Sequence, residues 1–269
     1  MKPYLKAVLF LVVLTVLEYL LRKGFIGFLL PFSFPQNFTA FFLFTLFAVA
    51  AWFITKWFCR RDSITLNDLG ISFNAKNRLD FWYGFLVGVG LWAIVSLVQS
   101  WTAGFSWELR PDISHFNIVY GLIFIFIADL GTELYTRGYP LTRFKDSFGP
   151  IIAMIVMVIF VALKSFTFQA QGELLFYIIL IPALHTVFFS FIYYKTKRLG
   201  GPVGLHTGAN FVTISIFDLR DAQPGQVIPS GIFQSDVDLE ALSLTALQLP
   251  YVIAAVVLSV VVYYWWAKK

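Results

Sequence analysis

The sequence predicts an all-α, polytopic membrane protein with about eight transmembrane helices around an intramembrane polar cavity. Three observations predict it. The chain is 59% hydrophobic and only 13% charged, with a mean hydropathy of +0.77, whereas soluble domains carry about 25% charged residues. Its apolar residues fall in runs near the roughly 20 residues a helix needs to cross hydrocarbon. The few polar residues inside those runs recur at four-residue spacing, which gathers them on one helix face.

The expected spans are Tyr4–Leu21, Thr39–Phe58, Phe81–Trp101, Phe116–Thr136, Pro150–Phe168, Leu174–Tyr194, Leu199–Phe217 and Leu247–Ala267. The first reads as an uncleaved anchor, because Glu18-Tyr19 and Arg22-Lys23 follow it where a signal peptide would carry small residues. The seventh is the weakest, since Gly200, Gly201, Pro202, Gly204, His206, Gly208 and Asn210 dilute its hydropathy. No soluble stretch is long enough for a domain of its own. The whole of 1–269 therefore reads as one transmembrane domain. The longest outer loop, Asp218–Thr245, is acidic and reads as solvated.

With the N-terminus inside, fifteen of the 20 Lys and Arg residues fall on inner segments, and Lys164 falls within a span. That bias predicts both termini in the cytoplasm, and we expect a bacterial inner membrane. The net charge of +5 is thus a topology signal. Nucleic acid is not an expected partner, for no basic face is clustered. The single cysteine excludes an intrachain disulfide and a Cys-based metal site.

Asp129, Glu133 and Arg137 end the fourth span at four-residue spacing, and charges placed there mark a functional face. His206 and Asn210 are likewise one turn apart. Both can donate hydrogen bonds, as a developing oxyanion requires, while Gly204 and Gly208 equally suit close helix packing. His185 reads as a structural histidine. Glu18 is expected to pair with Arg22 at the interface. Lys164, inside span five, demands an acid, and Asp129 or Glu133 is the expected partner. The ion network expected is therefore Asp129, Glu133, Arg137 and Lys164. Glu133, His185 and His206 would be the ligands of a metal site, but Lys164 would set a positive charge beside the ion. No metal or other cofactor is expected.

Together these clusters resemble the CPBP family, the CAAX-protease and bacteriocin-processing group also called ABI, which includes type II CAAX prenyl endopeptidases. The family's Glu-Glu-x-x-x-Arg is similar to Thr132-Glu133-Leu134-Tyr135-Thr136-Arg137, followed by Gly138. Its Phe-x-x-x-His corresponds to Phe160 through Lys164, and its His-x-x-x-Asn to His206 through Asn210. The resemblance runs over about 67–217, with Leu69-Gly70-Ile71 as a lead-in to span three. It implies an eight-span helical fold, with Glu133, Arg137, His206 and Asn210 as the catalytic set. It also assigns the first Glu as general base, the motif-two His as its helper, and the motif-three His and Asn to the oxyanion.

Two of these positions are changed. A threonine hydroxyl at 132 takes no proton from water near neutral pH, and a lysine held beside a carboxylate is no base. The chain is expected to be a degenerate protease homologue, a pseudoenzyme acting as a non-catalytic membrane subunit or binder of hydrophobic or lipidated peptide. Its expected partners are membrane lipid and either a membrane protein or such a peptide. The alternative is an active intramembrane endopeptidase that uses Glu133 or Asp129 as base.

Overall fold

The computed structural model describes residues 1–21, 36–111, 113–166, 170–218, 231–237 and 242–268. Its helices are α1 (Pro3–Leu20), α2 (Gln36–Arg61), α3 (Ala75–Ala103), α4 (His115–Glu133), α5 (Tyr139–Phe148), α6 (Pro150–Ser165), α7 (Gly172–Thr196), α8 (Gly200–Phe211) and α9 (Leu244–Ala267). Single π-helical turns at Leu134–Gly138 and Val212–Ile216 extend α4 and α8. Strands β1 (Trp107–Leu109) and β2 (Phe233–Ser235) form one antiparallel ribbon.

Local chemistry sets the ends. Pro3 and Pro150 open α1 and α6, where a missing N–H costs nothing. Asn74, Ser114 and Ser243 accept hydrogen bonds from Asn77, Asn117 and Ala246 N–H groups and so cap α3, α4 and α9. Gly104 ends α3 in the left-handed conformation at φ +76°.

The chain is a multi-pass integral membrane protein. Among the described residues six helices are long and apolar enough to cross a membrane: α1, α2, α3, α7, α9 and the continuous stretch His115–Phe148. Large apolar side chains such as Leu86, Ile94, Leu97, Val257 and Val261 lie exposed on α3 and α9, a surface suited to lipid rather than water. The count of eight is not confirmed among the described residues: helix α6 has 16 residues, and α8 has 12 with a five-residue π-turn continuing it, lengths of roughly 24 and 26 Å against a hydrocarbon core of about 30 Å.

Helix α8 is deeply enclosed, with nine of its 12 residues buried. Gly84 and Gly88 of α3 face it so closely that an added Cβ would lie 2.5 Å from the carbonyl oxygens of Gly201 and Leu205. From the other side, a Cβ at Gly200, Gly204 or Gly208 would overlap the backbone carbonyl of Asn77, Phe81 or Phe85. Small residues at four-residue spacing on both helices thus bring backbone against backbone. The entry to α8 is also fixed. Gly70 adopts φ +67°, its carbonyl accepts from Leu199 N–H at 3.1 Å, and Asn77 Oδ1 accepts from Gly200 N–H at 2.7 Å. The Leu69-Gly70-Ile71 turn therefore docks α3 onto the start of α8.

A polar clamp ties α1, the end of α2 and α5. Asp62 pairs with Lys6, accepts from the Tyr139 hydroxyl at 2.7 Å and lies 2.7 Å from Arg143 Nε. Burial alone would raise the Asp62 carboxyl. The hydrogen bonds from Lys6 and Tyr139 and the Arg143 charge outweigh it, and the carboxyl is held below its ordinary value. A depressed acid stabilises the fold above its unfolded value and loses that contribution as pH falls through its folded value. We therefore expect the thermal midpoint to fall on acidification below about pH 4, and to fall less in Asp62→Asn. Equal acid sensitivity in parent and variant would contradict this.

One expectation about the acidic loop changes. Asp218 is fully buried, with its Oδ2 accepting from Gly231 N–H at 3.2 Å, so it is not part of a solvated loop. The carboxylate is drawn inward because it caps a backbone N–H beside the ribbon. Most of the acidic loop lies outside the described residues.

Candidate functional site

The polar cluster is built where α4 crosses α8. His206 and Asn210 each follow a packing glycine by two residues, which is about 200° around a helix. The glycine face meets α3 and the polar face meets α4. Asn210 Nδ2 donates to Asp129 Oδ1 at 2.8 Å. His206 Nδ1 lies 2.9 Å from Glu133 Oε1, and its Nε2 lies 3.5 Å from Asp129 Oδ1. One imidazole therefore sits between two carboxylates.

Arg137 closes the cluster from the π-turn. Its Nη1 donates to Glu133 Oε1 at 2.9 Å and to Thr136 Oγ1 at 2.6 Å, and its Nη2 reaches Thr186 Oγ1 at 3.4 Å. The guanidinium carbon stands 4.9 Å over the Phe189 ring, which also packs 5.0 Å from the His206 ring. The wider π-turn still brings Arg137 back onto Glu133 four residues earlier. Glu133 is fully buried, and Asp129 and Arg137 are nearly so. Two carboxylates and one guanidinium share the cluster, with the His206 imidazole between the carboxylates. Such a buried set holds together only if its members pair.

The structure brings Asp129, Glu133, Arg137, His206 and Asn210 together. It does not bring Lys164. The lysine ammonium lies 2.7 Å from Glu18 Oε2 and 4.6 Å from the Tyr135 ring centre. This corrects the expected pairing of Lys164 with Asp129 or Glu133; the expected pairing of Glu18 falls on Arg22, which lies outside the described residues. The physical reason is the face of α6 on which Lys164 sits. One turn earlier Phe160 packs 5.7 Å from Tyr135, and Tyr135 is itself bonded to Thr15 of α1. That face of α6 looks towards α1, and the fully buried Tyr135 ring lies beneath the ammonium. Arg137, by contrast, is 3% exposed and belongs to the cluster. Thr132 spends its hydroxyl on the Ala128 carbonyl at 3.0 Å.

Sequence reasoning missed Thr186 and Phe189 as partners of Arg137. Their signal was faint: one hydroxyl and one ring in an apolar helix, beside a histidine. Gly84 and Gly88 were also missed, although their spacing repeats that of Gly204 and Gly208. His185 does not point its Nε2 to the cluster; that atom lies 2.7 Å from the Tyr251 hydroxyl, while its ring centre is 6.1 Å from that of His206. Among the described residues no group of three or more His, Cys, Asp and Glu side chains is placed to hold a metal ion.

Residues 114–212 match the family model described as type II CAAX prenyl endopeptidase Rce1-like. No curated protein and no solved structure gives a significant match. The matched segment holds all five clustered residues and Lys164, and it lies within the 67–217 stretch on which the three motifs were recognised. The segment built from α4 to α8, with its buried Glu133–Arg137 pair and with His206 and Asn210 turned towards it, is thus similar to the core of that family.

Proposed function

We propose that this CPBP-like membrane protein is a non-catalytic member of its family. It binds a hydrophobic or lipidated peptide, or serves as a subunit beside another membrane protein, with both termini in the cytoplasm. One observation carries the reading: the cluster spends its chemistry on itself. The motif-three donors that the family directs at an oxyanion are turned to Asp129 and Glu133. The two changed positions lie apart from them, Thr132 bonded to backbone and Lys164 to Glu18. General-base assistance contributes roughly 10²–10⁴-fold, and neither residue replaces it.

A second reading has one observation in its favour. Glu133 Oε2 is buried without a hydrogen-bond partner among the described residues, and the His206 side chain keeps 15% of its surface accessible. A water there would face Glu133, which makes an endopeptidase with Glu133 or Asp129 as base the competing mechanism. Cleavage assays on a prenylated peptide and on a hydrophobic single-span peptide decide between them. We expect no turnover by the parent chain or by His206→Ala. Turnover by the parent that disappears in a folded His206→Ala would establish the endopeptidase.

A further inference from the structure

We infer that His185 and Tyr251 form a hydrogen-bond donor site for an uncharged carbonyl oxygen, an amide or ester, on the apolar guest. This rests on the guest-binding reading above. His185 Nε2 and the Tyr251 hydroxyl are 2.7 Å apart, joining α7 to α9 inside the bundle. A neutral imidazole carries one N–H and a phenol one O–H. Their mutual hydrogen bond uses one of these two protons. If the phenol donates, the imidazole Nδ1–H is left over; if the imidazole donates, the phenol O–H is. Either tautomer leaves one donor, and among the described residues no acceptor takes it.

The surroundings define what that donor can bind. The His185 ring has Trp92 at 6.0 Å, Phe188 at 5.3 Å and Phe189 at 5.7 Å, ring centre to ring centre. An unmet donor among such rings is costly, so it calls for an acceptor from outside the protein. On the remaining side stands His206, held by Asp129 and Glu133. Those carboxylates repel an anion, and Arg137 is already committed to Glu133. The acceptor that fits is therefore a neutral carbonyl and not a carboxylate. Neither His185 nor Tyr251 lies in the three family motifs. The pair adds a recognition element on α7 and α9, while the cluster itself lies on α4 and α8.

Photolabelling of the full chain in detergent tests this, with three probes of equal length: a sixteen-carbon diazirine amide, the matching acid and the matching hydrocarbon. Labelled peptides are mapped by mass spectrometry. We expect the amide to label the residues around His185 about tenfold better than the hydrocarbon, the worth of one hydrogen bond, and the acid to gain nothing. His185→Phe combined with Tyr251→Phe, which removes both donors, should abolish the amide's advantage while hydrocarbon labelling persists, which shows the fold intact; each single variant keeps one donor and should retain part of the advantage. His185→Gln, which keeps a donor, should retain part of it. An amide advantage that survives the double Phe variant, or an acid that labels as well as the amide, overturns the inference and leaves guest binding standing. Absence of labelling near His185 by all three probes overturns both.

Discussion

Arg137→Met is expected to lower stability by about 3–5 kcal/mol, the cost of stranding one member of a buried ion pair. Arg137 is 3% exposed and Glu133 fully buried, and among the described residues the guanidinium is the one permanent cation on that carboxylate. Without it, Glu133 keeps His206 alone, and His206 also serves Asp129. Removing the stranded charge should recover part of the loss, so Arg137→Met with Glu133→Gln should melt above Arg137→Met. Lys164→Met is the control. Its ammonium is in a pair whose side chains remain 32% and 14% accessible, so its effect should be the smaller. Thermal midpoints of the purified chain in one detergent measure all four. Equal midpoints for Arg137→Met and the parent would mean that the buried pair contributes nothing.

Gly204→Ala should be nearly as damaging, near the upper end of the roughly 1–3 kcal/mol that overpacking costs. The added methyl would overlap the Phe81 carbonyl oxygen. Backbone has no rotamer with which to yield, so α3 and α8 must separate along their length. Intrinsic helix propensity favours alanine by about 1 kcal/mol and only partly offsets this. Gly90→Ala, in the same helix α3 but with open space around its Cβ position, should leave the midpoint unchanged or slightly higher. If Gly204→Ala melts with Gly90→Ala, the two helices are not in backbone contact.

The two variants fail for linked reasons, because the glycine face of α8 aims its polar face. This link explains what was legible in the sequence. Asp129, Glu133 and Arg137 announced themselves because a charge has few ways to exist in an apolar run, and spacing alone put them on one face. His206 and Asn210 were legible for the same reason. Lys164 was read as equally constrained, yet spacing along one helix says nothing of which neighbour that helix presents its face to. The packing of Phe160 on Tyr135 settled that, and such a contact between distant apolar residues leaves no periodic trace. Span number is a different matter. Hydropathy averages over a window, so it located the apolar runs at α6 and α8 without measuring how many residues stay helical. The Gly84–Gly88 partner of the α8 glycines was written in the same four-residue code, but two glycines in an apolar helix carry no charge to draw notice.

The β1–β2 ribbon has a consequence for how the protein is made. Trp107 pairs with Ser235, and the Trp107 ring packs 5.0 Å from that of Phe217. Its partners are therefore synthesised more than a hundred residues after it. At roughly 5–20 residues per second, the ribosome needs on the order of 5–25 s to deliver them. Within that interval α4 is made first, and α8, which supplies His206 and Asn210, follows only near its end. Asp129 and Glu133 thus spend seconds in or near the bilayer before their imidazole exists, with Arg137 alone to share their charge. The i, i+4 pairing of Glu133 with Arg137, local enough to form within one nascent helix, is the interaction available to carry this segment through biosynthesis.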